Sequence, residues 1–250
     1  MINIVIPMAG AGSRFLSAGY INPKPLIDIN GYPMIKLVIK NLTPSVPHRF
    51  IFICQRDHLE KYNLSAKLEV WSPGCEVIGI EGVTEGAACT VLMARKFINN
   101  QSHLMIANSD QYVDVSIDDY LRSAHRGSLD GLIMTMKAND PKWSYAGIDK
   151  GLVTHVVEKE VISDEATVGI YNFSAGKDFV NAADEMIKKD LRVNNEFYVA
   201  PVYNELIKSG KTYAVFNIGQ DSDGMYGLGI PKDLEFFKQT EVCKTVSQGL

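Results

Sequence analysis

The chain has 250 residues, of which 46 % are hydrophobic and 22 % are charged, and its formal net charge is −4. This length allows one large α/β domain or two small ones, and a core of this size buries most of its apolar surface without cross-links. The acidic balance and the lack of a basic stripe argue against nucleic acid as a partner. An anionic ligand would therefore have to be held by local cations.

The four cysteines, at 54, 75, 89 and 243, form no C-x-x-C pair and stand among apolar neighbours. We expect reduced thiols rather than a disulfide framework. No positively charged segment precedes the apolar start, and no apolar run reaches the roughly 20 residues of a membrane helix. The expectation is a cytoplasmic protein with neither a signal peptide nor a membrane partner.

Short β-branched runs alternate with longer helical patterns in the first half of the chain. Residues 2–7, 49–54, 76–80 and 103–107 are predicted strands, and residues 34–42, 57–68 and 86–97 are predicted helices. This alternation is typical of an α/β fold with a mostly parallel, Rossmann-like sheet flanked by helices.

After residue 125 the connections become shorter. Strands are predicted at 129–137, 145–149, 152–159 and 167–174, and helices at 177–188, 198–208 and 232–237. This pattern favours a smaller antiparallel or mixed extension of the sheet. No linker marks a boundary, so we expect a single domain over 1–250, with halves at 1–125 and 126–240. The polar residues 241–250 are expected to be a frayed tail.

A glycine loop follows the first predicted strand, with Gly10 and Gly12 at its centre. Glycines adopt positive φ and let backbone N–H groups approach a phosphate, although a bare G-x-G is as often a tight turn. The loop is neither a Walker loop nor G-x-G-x-x-G, because Phe15 stands where a third glycine would be. Arg14 favours the phosphate interpretation, since a guanidinium can fork onto phosphate oxygens.

Lys24 lies between Pro23 and Pro25, which restrict the local backbone. A rigidly held ammonium suits the charge that builds on a phosphoryl group, and the alternative is a solvated lysine in a proline turn. Together with the glycine loop, it suggests a protein that binds a nucleoside triphosphate by its phosphates.

Asp110 follows the predicted strand 103–107. A carboxylate at that end of a strand can hold Mg²⁺ on triphosphate oxygens, or it can close the strand as an Asx-turn. Glu85 and Gly86 fit a helix start, and Glu158 with Lys159 fits an exposed ion pair. The five histidines have no metal-ligand spacing, so no zinc site is expected.

Residues 5–26 resemble the signature of the sugar-phosphate nucleotidyltransferases, pyrophosphorylases with a glycosyltransferase-A-like fold. That signature is a glycine loop with an arginine, followed by P-K-P-[LM]; the chain has M-A-G-A-G-S-R at 8–14 and P-K-P-L at 23–26. The G-S-R-F wording is also similar to phosphocholine cytidylyltransferases. Four later segments resemble family motifs, at 85–88, 108–111, 157–159 and 227–231, as does Gly169.

The resemblance implies transfer of a nucleotide from a triphosphate to a phosphorylated acceptor, with Mg²⁺ as cofactor and loss of pyrophosphate. It implies that Arg14 binds the β- and γ-phosphates, Lys24 the α-phosphate, Asp110 the metal and Lys159 the acceptor phosphate. Further nucleotide-binding residues would be Ala9, Gly10, Ala11, Gly12, Ser13, Glu85, Gly86 and Ser109. Further acceptor-binding residues would be Glu158, Gly169, Glu196 and Tyr198. On this basis 1–125 is the nucleotide-binding half and 126–240 the acceptor-binding half.

One position departs from the family pattern. Gly227 stands where the family commonly has a second metal-binding aspartate. One carboxylate could suffice, Asp221, Asp223 or Glu196 could supply another, or catalysis could be impaired.

The sequence leaves the substrates open. CTP is favoured over UTP and dTTP, with an acceptor such as phosphocholine or phosphoglutamine and a role in capsule or surface-polysaccharide synthesis; a homo-oligomer is possible. One alternative is a glycosyltransferase that uses a nucleotide-sugar, but its usual D-x-D motif is here Ser109–Asp110–Gln111. The other alternative is a non-catalytic nucleotide-binding regulator, which Gly227 motivates.

Overall fold

The computed structural model describes residues 1–124 and 128–248. Its strands are β1 Ile2–Pro7, β2 Asp28–Ile29, β3 Tyr32–Pro33, β4 His48–Gln55, β5 Glu76–Ile80, β6 His103–Ala107, β7 Gln111–Val113, β8 Gly131–Lys137, β9 Ser144–Asp149, β10 Leu152–Glu158, β11 Glu165–Phe173, β12 Tyr213–Asp221 and β13 Gly224–Gly227.

The helices are α1 Ser13–Ser17, α2 Met34–Leu42, α3 Arg56–Tyr62, α4 Leu64–Trp71, α5 Ala87–Leu92, α6 Arg95–Ile98, α7 Ile117–Ala124, α8 Gly176–Lys188, α9 Val202–Lys208, α10 Pro231–Gln239 and α11 Glu241–Gln248, with a 3₁₀ turn at Lys24–Leu26. No helix in the part of the chain that the structure describes is long and apolar enough to cross a membrane.

One large sheet runs through the molecule in the order β5-β4-β1-β6-β11-β8-β12-β13-β7, and β2 and β3 form a small separate pair. Strands β5, β4, β1 and β6 are parallel, β11 is antiparallel to β6 and β8, and β9 pairs antiparallel with β10. The predicted α/β class, with a Rossmann-like mixed sheet flanked by helices and an antiparallel extension, is confirmed.

The central strands are buried on both faces, and successive side chains enter different clusters because side chains alternate across a strand. Ile4 and Ile6 of β1 join the cluster that includes α2, α4 and α7, whereas Val5 joins the cluster that includes α5, α8 and α9. Near-continuous apolar runs such as 50–54 are what a doubly covered parallel strand requires.

The pairing of β1 with β6 positions the candidate site. Ile2 lies opposite His103 and Val5 opposite Ile106 in parallel register. The glycine loop after β1 and the segment 108–111 after β6 therefore leave the same edge of the sheet. Open α/β sheets bind ligands at this edge.

Several predicted helix boundaries are wrong for local reasons. The helix predicted at 57–68 is two helices, because Asn63 adopts a left-handed conformation with φ 48°. The helix predicted at 86–97 divides into α5 and α6, and the one predicted at 198–208 begins only at Val202. An asparagine tolerates the left-handed region better than other non-glycine residues, so it can interrupt a helix without further signals.

The expected frayed tail is also wrong over the described residues, because 241–248 form α11. Cys243 is buried there in a third cluster, which also contains Phe15, Tyr112, Tyr226 and Phe237. All four cysteines are free thiols. The predicted division between halves at 125 and 126 and the last two residues of the tail lie outside the described residues.

Phe237 and Phe236 form a natural matched pair. Phe237 is fully buried, with ring centroids 5.5 Å from Tyr112 and 5.4 Å from Tyr226, while Phe236 is 50 % exposed. We expect Phe237→Ala to lower the free energy of unfolding by about 3–5 kcal/mol, through lost burial and a cavity. Phe236→Ala should change it by less than about 0.5 kcal/mol. Urea denaturation measures both, and equal effects would contradict the packing described.

Candidate active site

Two adjoining cavities lie at the carboxyl edge of β1 and β6. The larger, of about 720 Å³, is here called the loop cavity; its lining includes Arg14, Asp110, Gln111, Gly227, Gly229 and Asp233. The smaller, of about 280 Å³, is called the inner pocket; its lining includes Ala87, Ser144, Glu158, Gly169, Tyr171 and Tyr198. Asn108, Lys142 and Trp143 line both. The two cavities therefore share a wall.

The glycine loop is fixed at both ends. The backbone N–H of Met8 donates to the carbonyl of Ile53 at 2.9 Å, and Gly12 begins α1 in a left-handed conformation with φ 62°. A Cβ at Gly12 would lie 3.6 Å from the Cβ of Lys24, so the loop passes close to that side chain. Arg14, in the first turn of α1, is exposed and lines the loop cavity.

Lys24 and Asp110 form an ion pair of 2.9 Å between Nζ and Oδ2. Their side chains are only 20 % and 24 % exposed, and the buried residues Pro25 and Leu26 hold the 3₁₀ turn that presents the lysine. Asp110 also packs on Gly229, where a Cβ would lie 2.6 Å from its Oδ2. Lys24 and Asp110, which were predicted as site residues from separate segments, are therefore in direct contact.

The inner pocket contains a buried carboxylate. Glu158 is 9 % exposed and accepts a hydrogen bond from the hydroxyl of Ser144. Burial raises the pKa of the Glu158 carboxyl, while the Ser144 hydrogen bond and the charge of Lys159 oppose that rise. Because this carboxylate has unused acceptor capacity, it suits a ligand that donates hydrogen bonds.

Lys159 is outside the described lining of the inner pocket but contacts Tyr198, which lines it. Its Nζ donates to the hydroxyl of Tyr198 at 2.7 Å, and its backbone is left-handed with φ 60°. The hydrogen bond to Tyr198 raises the pKa of Lys159, so it is a stable positive charge beside the Glu158 carboxylate. The predicted acceptor residues Glu158, Lys159 and Tyr198 are therefore brought together.

Gly169 makes room for an amide at the shared wall. It has φ 77°, and a Cβ there would lie 2.0 Å from Nδ2 of Asn108. That amide donates weakly to Oε1 of Gln111 at 3.4 Å, and Nε2 of Gln111 is buried without a partner. Any larger residue at 169 would displace Asn108.

Glu85 and Gly86 lie at the start of α5, near the inner pocket but outside its lining. A Cβ at Gly86, with φ 131°, would come within 2.5 Å of the backbone of Phe197. The Glu85 carboxylate forms an ion pair with Arg192 at 2.6 Å. Of the predicted nucleotide residues, Ala9, Gly10, Ala11, Gly12, Ser13 and Ser109 likewise lie beside the two cavities rather than in their described lining.

The three candidates for a second acidic ligand lie outside the described lining of the loop cavity. Asp221 pairs with Lys142 at 3.4 Å, Asp223 accepts from Gln220 at 3.4 Å, and the Glu196 carboxylate is close enough to Glu158 and Lys159 to act on both. Within the described lining of the loop cavity, the acidic side chains are Asp110 and Asp233.

Sequence reasoning missed Lys142, Trp143 and Asp233. Lys142 and Trp143 lie in a turn at 140–143, which the backbone N–H of Trp143 closes by donating to the carbonyl of Asp140, and nothing in its sequence indicates that it folds over the sheet edge. Asp233 is in the first turn of α10, where acidic residues are common for reasons of helix charge alone.

The arrangement can hold a polyanion next to a smaller molecule. Arg14, Lys142 and Lys232 line the loop cavity and Lys24 borders it, so cations surround Asp110 there. The inner pocket offers a hydrogen-bond acceptor in Glu158, with a positive charge nearby. Over residues 1–124 and 128–248, no group of three or more His, Cys, Asp or Glu side chains could hold a metal ion.

Comparison with solved structures gives the same fold. A nucleoside-diphosphate-sugar pyrophosphorylase from Vibrio cholerae RC9 is 25 % identical, with a TM-score of 0.80 over 95 % of this chain and 100 % of that one. A putative glucose-1-phosphate thymidylyltransferase from Bacillus anthracis is 19 % identical, with a TM-score of 0.73 over 94 % of this chain and 93 % of that one. The inositol-1-phosphate CTP transferase from T. maritima is 16 % identical, with a TM-score of 0.71 over 98 % of this chain and 95 % of that one.

The family model described as nucleotidyl transferase matches residues 4–218, which contain the glycine loop, Lys24, Asp110 and the inner pocket. The chain therefore belongs to the nucleotidyl transferase family.

Proposed function

We propose that the protein is a Mg²⁺-dependent nucleotidyltransferase that joins a nucleoside triphosphate to a phosphorylated small-molecule acceptor and releases pyrophosphate. The observation that carries this proposal is the meeting of Arg14, Lys24 and Asp110 at one cavity, which shares a wall with the pocket of Glu158 and Lys159. Such a transfer requires an anionic acceptor beside the α-phosphorus, and two adjoining cavities allow this.

In this proposal the loop cavity binds the triphosphate. Arg14 forks onto the β- and γ-phosphates of the leaving group, and Lys24 neutralises charge at the α-phosphate. Backbone N–H groups of the glycine loop and Ser13 provide the remaining phosphate contacts. The positive φ of Gly12 supports this, because such a conformation can turn backbone N–H groups toward an anion.

Asp110 is the candidate ligand for Mg²⁺. Its carboxylate lines the loop cavity and lies on Gly229, where any side chain would fill the space in front of Oδ2. Carboxylate oxygen fits a hard cation, which takes its remaining ligands from water and phosphate. Bound Mg²⁺ supplies charge neutralisation on the triphosphate oxygens.

The acceptor would occupy the inner pocket. Lys159, held by Tyr198, binds its phosphate, and Glu158 accepts hydrogen bonds from its donor groups. An acceptor phosphate is already ionised at neutral pH, so the reaction requires no general base. Gly169 leaves the room that the amide of Asn108 needs at the junction.

The identities of the nucleobase and of the acceptor are part of the same proposal. Glu85 and Gly86, at the start of α5, are the candidate nucleobase contacts, with CTP favoured ahead of UTP and dTTP. The similar folds of a CTP transferase and of pyrophosphorylases support phosphorylated polyols and related acceptors as a class. We place the reaction in the cytoplasm, where nucleoside triphosphates are available, and in capsule or surface-polysaccharide synthesis, with a homo-oligomer possible.

The first experiment measures pyrophosphate release by the purified protein with Mg²⁺. CTP, UTP, dTTP, ATP and GTP are each combined with sugar 1-phosphates, inositol 1-phosphate, phosphocholine and phosphoglutamine. A productive pair that is lost in Asp110→Asn supports the proposal. Release of a nucleoside diphosphate from a nucleotide-sugar would instead indicate a glycosyltransferase, and binding of nucleotide without turnover would indicate a regulator.

For the active pair, we expect Arg14→Ala and Lys24→Gln each to lower kcat by about 10²–10³-fold, because each removes charge stabilisation from the reacting phosphates. Arg122→Ala is the matched control, since Arg122 is exposed on α7, lines neither cavity and, among the described residues, forms an ion pair with Asp119. Steady-state kinetics measure the effect. A change in nucleotide KM alone, without a loss in kcat, would contradict the assigned roles.

Glu158 predicts a pH dependence of stability. Its pKa in the folded protein lies above the ordinary value of 4.5, with burial as the main cause. Wild-type protein should therefore lose stability as the pH rises through the interval between those two pKa values, because folding there requires the Glu158 carboxylate to take up a proton, and above the interval folding buries it in its charged form. We expect Glu158→Gln to melt at a higher temperature than wild type above this interval, with the difference shrinking below it.

Glu165→Gln is a control of opposite sign. Burial of Glu165 raises its pKa, but hydrogen bonds from Lys137, Thr135 and Asn217 outweigh burial and bring the pKa below its usual value. This variant should lose stability relative to wild type as the pH rises. Thermal melts between about pH 4 and 8 test both variants, and parallel pH curves for the two would refute the assignment.

A further inference from the structure

Gly227 lies beside another carboxylate, that of Asp233. A Cβ at position 227 would lie 3.4 Å from Oδ2 of Asp233 and 3.9 Å from its Cβ. The φ of Gly227 is outside the left-handed region, so the backbone does not demand a glycine there. A Cβ at 227 would therefore make ordinary van der Waals contact with Asp233, so position 227 and the Asp233 carboxylate are direct neighbours.

Asp233 has no partner of its own. Within the residues that the structure describes, its carboxylate has neither a hydrogen bond nor an ion pair, although the charges of Lys142, Asp221 and Lys232 are close enough to influence it. By contrast, Glu235 on the same helix accepts from Tyr20 at 2.9 Å and from Lys238 at 3.0 Å. A half-buried carboxylate that lines a cavity and lacks a partner is available to a ligand.

A second observation at the same cavity also indicates a missing ligand. Gln111 is only 4 % exposed and lines the loop cavity, and its Nε2 has no hydrogen-bond acceptor in the described structure. A buried N–H without a partner costs free energy, so an oxygen of a bound ligand or of an ordered water would stabilise it. A phosphate oxygen or a metal-bound water would supply one.

We propose that Asp233 supplies the second carboxylate of the divalent-cation site, from α10 instead of from the end of β13. The proposal rests on the proposed function, which assigns Asp110 as the first ligand. Asp110 and Asp233 are the acidic side chains in the described lining of the loop cavity, and Asp221, Asp223 and Glu196 are not part of it. Asp233 would thus supply, from a position six residues later, the carboxylate that Gly227 does not.

Asp233 also lies in the first turn of α10, where a negative charge stabilises a helix without any ligand. The two roles make different predictions. A role in helix charge depends on the place of Asp233 along the helix. A ligand role depends only on a carboxylate reaching the cavity, so an aspartate at 227 could replace it.

The experiment measures binding of Mn²⁺, which prefers the same hard oxygen ligands as Mg²⁺, by the electron paramagnetic resonance of the free ion. Inorganic tripolyphosphate is present, so that no particular base is required. We expect Asp233→Asn to weaken Mn²⁺ binding by about 10–100-fold. Glu235→Gln, on the same helix, should bind as wild type does, and thermal melts verify that each variant is folded.

The rescue is the decisive comparison. Gly227→Asp combined with Asp233→Asn should restore Mn²⁺ affinity to within about threefold of wild type, whereas a helix-charge role predicts no rescue. Wild-type affinity in Asp233→Asn, with binding lost in Asp110→Asn, would overturn the proposal for Asp233 and leave the proposed function standing. Failure of wild-type protein to bind Mn²⁺ with tripolyphosphate would overturn both.

Discussion

The parallel pairing of β1 with β6 is the constraint on which the rest of the site depends. It brings the glycine loop and the segment 108–111 to one edge of the sheet, although about a hundred residues separate them in sequence. The ion pair between Lys24 and Asp110 is the direct result, because each side chain follows one of these strands. Without this register, the cations of the loop and the carboxylate of Asp110 would have no common cavity.

Much of the fold could be predicted because it follows from local patterns. The strands 2–7 and 103–107 are short apolar runs that a doubly covered sheet requires, and the loop residues Arg14 and Lys24 are cations directly behind a strand end. The prediction of a frayed tail at 241–250 was wrong over the described residues because a largely polar helix can still bury one of its faces. Cys243 enters an aromatic cluster that only the folded chain assembles, and composition carries no signal for it.

The parts of the site that escaped prediction are set by tertiary contacts. Asn108 and Gln111 matter because Gly169, on another strand, leaves room for their amides. Asp233 lines the same cavity as Asp110, which is more than a hundred residues earlier in the chain, and Lys142 lies in a turn that folds over two cavities. Each is an ordinary polar residue in sequence, and its place in the site is set by residues far along the chain.

The third cluster has a consequence for how the protein is made. Phe15 packs with Phe237 and Cys243, and the hydroxyl of Tyr20 reaches Glu235, which is 215 positions away. During synthesis the first half of the sheet can form while later residues are still in the ribosome, because domains acquire structure from the N-terminal side. The support beneath Arg14 arrives only with α10 and α11. A nascent chain would therefore contain the glycine loop and α1 long before these are held in shape, so this segment should reach its final conformation as one of the last events of folding.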